Sequence, residues 1–178
     1  MTQALWFASR GTGLVSMLLF TAVVVLGVLT RGGAASRRWP RFAVAGLHRY
    51  VSLLALGFLV VHIATATIDD YAGIRWVDAV VPFGSAYRPV ALGLGAVAFD
   101  LLLAVILTSL VRARMSYRAW RAVHWLGYAF WPVALVHGLL VGDLDLVYVV
   151  VLDGVCLLAV AAAVAWRVDL RQKEEVAA

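Results

Sequence analysis

Four histidines stand at His48, His62, His124 and His137, two on each of two long apolar stretches. An imidazole in hydrocarbon needs partners for two ring nitrogens, and a polar group left without them there is costly. A lone membrane histidine is explained as well by a bond between helices as by ligation. Two matched pairs point to a shared task. His48 and His62 lie fourteen positions apart, a helical rise of roughly 21 Å that brings both side chains to within about 40° of one face. His124 and His137 lie thirteen apart, a rise of roughly 20 Å, so the depths agree, but on an ideal helix their faces differ by about 140°. Pro132 lies between them. A proline removes one ladder bond and can rewind the segment enough to re-aim the later histidine.

The elements that must carry these side chains follow from composition. Of 178 residues, 64% are hydrophobic and 14% charged, which places the chain among membrane proteins. Five stretches are long enough to cross a bilayer as helices: 11–30, 43–68, 90–111, 120–141 and 144–166. The expected fold is an all-α integral membrane bundle of about five transmembrane helices, a single domain over 1–178. Ala34-Ala35-Ser36 follows the first stretch like a cleavage site, but that stretch is too long for a signal peptide and ends at Arg31.

Basic residues set the orientation. Arg31, Arg37, Arg38 and Arg41 lie between spans one and two, Arg112, Arg114, Arg118 and Arg121 between three and four, and Arg167, Arg171 and Lys173 in the tail. The other side has Arg10, Arg75 and Arg88 beside Asp69, Asp70, Asp78, Asp143 and Asp145. The positive-inside rule then puts the N-terminus out and the C-terminus in. The net charge of +5 is a membrane-flank signal, and nucleic acid is not implied. The loop 69–89 is expected outside, with 74–81 as a short interfacial helix bearing Trp76 at headgroup level. Residues 167–178 read as a short cytoplasmic tail, a solvated and frayed helix end. The single cysteine, Cys156, excludes an internal disulfide or a cysteine cluster built by this chain alone and reads as a small packing residue.

Spans two and four run in the same direction, so His48 falls beside His124 near the cytoplasmic face and His62 beside His137 near the outer face. Two bis-histidine sites follow. Porphyrin iron takes two axial ligands, and imidazole on both sides closes it to substrate while leaving one-electron cycling open. Zinc or non-haem iron fits less well, since no cysteine or carboxylate sits at matching depth on these helices.

The joint pattern His48-x13-His62 and His124-x12-His137 resembles the membrane domain of the ferric reductase and NADPH oxidase superfamily, over about Leu47 to Gly142. The resemblance implies two b-type haems in a core of about 43–142, the inner held by His48 and His124 and the outer by His62 and His137. It also implies an aromatic on the electron path six residues after the first ligand of the later helix, here Phe130. The oxidase branch has a further histidine four residues after the outer ligand of the earlier helix. Ala66 stands there, which does not suit superoxide production. No G-x-G-x-x-G fingerprint is present, so flavin is expected only on a partner. Bacterial members without the flavin domain, such as the haem subunit that supplies a periplasmic methionine sulfoxide reductase, are the nearest functional analogue. The chain then reads as an oxidoreductase component in a bacterial plasma membrane, in contact with lipid and with a flavoprotein or other redox partner.

Arg49 and Arg121 flank the inner ligands, and Arg75 and Arg88 lie on the outer side; all four are candidates for haem propionate contacts, and interface anchoring explains them as well. Asp100 and Asp153 fall near the middle of spans three and five, as candidates for proton transfer or for tuning a ligand. Two rivals stay open. One is a haem-free transporter or assembly subunit whose histidines and aspartates line a path, and the other is a quinone- or hydrogenase-linked cytochrome b.

Overall fold

The computed structural model describes residues 3–31, 40–69, 72–142 and 147–177. Arg37, Arg38, Asp70, Asp143 and Asp145 of the orientation argument lie outside these residues. Among the described residues six α-helices carry the fold: α1 Gln3–Arg31, α2 Arg41–Ile68, α3 Pro89–Leu110, α4 Tyr117–His124, α5 Leu126–Gly142 and α6 Val147–Ala177. With α4 and α5 forming one interrupted span, five spans long and apolar enough to cross a membrane are found among the described residues, and no strand. In hydrocarbon every backbone group must be satisfied internally, which leaves helices as the form open to such a chain.

Local chemistry fixes where helices start. Pro89 takes the first position of α3, where its missing N–H costs nothing. The Ser116 side chain accepts from Ala119 N at 3.2 Å and caps α4. Within the spans, hydroxyls fold back onto the preceding turn: Ser16 donates to the Thr12 carbonyl at 2.8 Å, Thr21 to Met17 at 2.8 Å and Thr108 to Ala104 at 2.7 Å.

The fourth span differs from expectation. Helical regularity is lost at Trp125, where Tyr128 N donates to the Trp125 carbonyl at 2.9 Å, a three-residue step. Such a step winds the chain more tightly than an α-turn and advances it by about 120° per residue. Pro132, by contrast, lies inside α5 without ending it. The segment between spans two and three forms a single turn of 3-10 helix at Trp76–Ala79, with Trp76 exposed. The tail is not frayed: α6 continues to Ala177, and Lys173 pairs with Asp169 at 2.6 Å.

α1 packs along α2 and also meets α5 and α6, while α3 packs along α5. Gly13 faces His62 and Gly27 faces His48, so α1 and α2 are antiparallel. Seven residues in from each of these contacts, Phe20 comes level with Ala55. Both belong to the buried core, with Met17, Val24, Ala98, Leu102, Phe130, Trp131 and Cys156. Ala55 and Phe130 each lie about midway between the histidines of their own span, so the packed layer separates two histidine layers. Trp131 Nε1 donates to Thr21 Oγ1 at 3.0 Å within it, giving the indole the partner that burial demands.

Candidate functional site

The four histidines meet as two pairs. The His48 and His124 ring centres are 6.4 Å apart with ring planes at 63°, and those of His62 and His137 are 6.4 Å apart at 75°. Two bonds of about 2 Å from a central metal to ring nitrogens, plus about 1.1 Å from each nitrogen to its ring centre, require roughly 6.2 Å. Both pairs match that span. Among the described residues no third His, Cys, Asp or Glu completes a metal-binding group with either pair.

Three of the imidazoles are held from behind. Nδ1 of His48 lies 3.1 Å from the Val23 carbonyl, Nδ1 of His62 2.8 Å from the Ser9 carbonyl and Nδ1 of His137 2.8 Å from the Ala91 carbonyl. A carbonyl only accepts, so each Nδ1 carries the hydrogen and each Nε2 keeps its lone pair. That is the protonation a metal-ligating histidine needs. His124 is held differently, its ring stacked on Trp120 at 4.8 Å and 22°. The Arg112 guanidinium stands 4.6 Å from the Trp120 ring centre. The Trp120 Nε1–H is buried and has no acceptor among the described residues.

A mostly apolar cavity runs alongside His62 and His137, walled by Met17, Phe20, Leu59, Ala66 and Phe130. Gly13 and Gly95 keep it open. A Cβ on Gly13 would lie 2.9 Å from His62 Nδ1, and one on Gly95 would lie 2.7 Å from His137 Cε1. Phe130 is buried, with its ring edge against Phe20 at 5.0 Å.

The charged candidates separate. Asp153 is buried and lines the cavity, and its Oδ2 has no hydrogen-bond partner among the described residues. Asp100 is partly exposed on α3 and is not on that wall. Arg49 and Arg121 are exposed beside the His48–His124 pair. Arg75 is committed elsewhere, with its guanidinium 2.8 Å from Asp78 Oδ1 and its backbone N–H on Oδ2 at 2.9 Å. The Arg75 hydrogen bonds hold the Asp78 carboxyl below the usual carboxylate range. Arg88 turns to the end of α5 and donates to the Leu140 and Val141 carbonyls at 3.0 and 3.2 Å.

Sequence reasoning missed Arg10, which lies on the cavity wall over the Trp6 ring. It also missed α1, which lies before the expected 43–142 core and contributes two of the three carbonyls. The available signal was the separation of Gly13 and Gly27, the same fourteen residues that separate His48 from His62. No curated protein and no solved structure matches the chain. The family described as Ferric reductase like transmembrane component matches residues 12–135, well over half of the sequence, and the chain belongs to that family.

Proposed function

We propose that this multi-pass membrane protein carries electrons across the bilayer through two b-type haems, of which His48 and His124 would hold one and His62 and His137 the other. The observation that carries the reading is the pair of imidazole couples 6.4 Å apart, three of whose four rings have Nε2 left unprotonated by a backbone carbonyl at Nδ1. The residues fit the group: an apolar cavity flanks one couple, and two glycines keep the methyl-sized space beside its rings free. When bound by two histidines, haem iron would supply a one-electron centre closed to substrate.

The chain's own part is to hold, insulate and orient. The carbonyls of Ser9, Val23 and Ala91 fix three ligand rings, and the packed middle layer keeps water from joining the two sites. Phe130 lies in that layer on the wall of the outer cavity, the place for an aromatic on the electron path. Arg10, on the same wall, is a second cation near the outer couple, its guanidinium directed at the Val141 and Gly142 carbonyls at 3.5 Å. At the other end the exposed Arg49 and Arg121 are the cations for a propionate, and the buried Trp120 N–H is a neutral donor.

The distribution of arginines supports a reading with His48 and His124 on the cytoplasmic side and the C-terminus inside. Electrons then enter from a cytoplasmic or membrane donor, a flavoprotein in this reading, and leave to an external acceptor. The setting is a bacterial plasma membrane. The test is a dithionite-reduced minus oxidised spectrum with pyridine haemochrome quantification, followed by reconstitution into vesicles with ferricyanide trapped inside. About two haem b per chain and reduction of the trapped ferricyanide by external dithionite are expected. A haem-free protein made with ample haem supply overturns the proposal.

A further inference from the structure

Among the described residues, each of the three carbonyls that hold a histidine Nδ1 is followed four residues later by a glycine. Ser9 is followed by Gly13, Val23 by Gly27 and Ala91 by Gly95. The acceptors lie on two different helices, and the three bonds run to histidines on α2 and α5. In an α-helix the carbonyl of residue i already accepts the N–H of residue i+4. The side chain of residue i+4 leans back toward the N-terminus and covers the turn in which that carbonyl sits. A second donor from a neighbouring helix therefore meets the Cβ of residue i+4 before it meets the oxygen. Glycine removes the obstacle.

The clearances agree with this role. At Gly13 a Cβ would stand 2.9 Å from Nδ1 of His62, the atom that bonds the Ser9 carbonyl. At Gly95 it would stand 2.7 Å from Cε1 and 2.8 Å from Nδ1 of His137, which bonds the Ala91 carbonyl. Gly27 is looser, with 3.7 Å to Cε1 of His48 and 3.6 Å to the Tyr128 hydroxyl, and its histidine makes the longest of the three bonds. Gly46, Gly57, Gly127 and Gly138 would meet nothing within 4 Å, and Gly93 and Gly142 face the Phe83 and Val149 side chains, so the glycines that face a histidine ring are the three that follow an acceptor.

We propose that Gly13 and Gly95 are positioning residues for the outer ligand pair and Gly27 for the inner, each opening one helix carbonyl to a histidine Nδ1–H. The bond so admitted fixes the ring and increases the donor strength of Nε2 toward a metal, a lever on reduction potential. This makes α1 part of the electron-transfer site. The inference rests on the two-haem reading.

The experiment compares Gly13→Ala, Gly95→Ala, Gly27→Val and Gly57→Ala in the full chain, by haemochrome content, redox titration and low-spin ferric electron paramagnetic resonance. The expected result is that Gly13→Ala and Gly95→Ala each shift the midpoint potential of the same single haem upward and alter its resonance, leaving the other haem unmoved. Gly57→Ala keeps both centres as in the parent, while the bulkier Gly27→Val moves only the other centre. An outer centre unmoved in both Gly13→Ala and Gly95→Ala overturns the inference, as does joint loss of both haems from these two variants while Gly57→Ala keeps them, which assigns the glycines to folding. A parent protein without haem overturns the two-haem reading itself, and only that outcome does.

Discussion

Removing histidines in pairs separates two wired sites from four independent polar groups. Each couple has ring centres 6.4 Å apart, while the levels of His48 and His62 are roughly 21 Å apart along α2. No histidine of one couple can therefore serve the other. Each single His→Ala change is expected to lower the haem content from about two per chain to about one. The cognate doubles, His48→Ala with His124→Ala and His62→Ala with His137→Ala, are also expected to keep about one, because the second change removes a ligand from a site already emptied. The cross doubles, His48→Ala with His62→Ala and His124→Ala with His137→Ala, are expected to keep none. This non-additivity is the signature of residues acting as a unit. Pyridine haemochrome per chain, after size-exclusion chromatography to select the assembled bundle, gives the count. A cross double that keeps a full haem, or a cognate double that loses both while still eluting as a folded bundle, would refute the pairing.

Other residues give independent tests. Thr21→Val removes the acceptor of the Trp131 indole while keeping its shape, and a buried donor left unsatisfied costs about 1–3 kcal/mol; a matching fall in unfolding free energy in detergent is expected, with haem content unchanged. Asp153→Asn keeps the size of a buried side chain on the cavity wall. If Asp153 moves protons with the electrons, the variant retains both haems and loses the pH dependence of the outer potential, whereas an unaltered dependence assigns Asp153 to packing. The Asp78 carboxyl is held below its ordinary value, first by the Arg75 side-chain bond, so the pair contributes order above the unfolded carboxylate range of about 4 and loses it as pH falls through the depressed value. Proteolysis of the 72–88 segment is accordingly expected to accelerate at acid pH, and Asp78→Asn to be fast and flat across the same range.

The spans and the depths of the histidines were legible because hydropathy and rise per residue depend only on chain order. Azimuth was not. The thirteen-residue step from His124 to His137 pointed to Pro132, yet the ladder is interrupted at Trp125, a residue with no intrinsic tendency to break a helix. Side-chain commitment was equally hidden. Arg75 read equally as an interface anchor or a propionate contact, and its bond to Asp78 could not be read from spacing; Arg10 read as a flank charge although it stands on the cavity wall. The role of α1 was harder still to read, because its contribution is two carbonyls and two missing side chains. Glycine advertises nothing by its chemistry, so its place had to be inferred from spacing against the histidines of another helix.

The packed layer at mid-depth bears on assembly. Phe20, Ala55, Phe130 and Trp131 close on one another and on Thr21 without help from any group at either end. The bundle can therefore set its register while both ends are empty, with Gly13 opposite His62 and Gly27 opposite His48 before any porphyrin arrives. On the two-haem proposal, loading would then amount to two separate insertions at the two ends of the bundle, and a cell short of haem would accumulate chains that are half-charged and still correctly built.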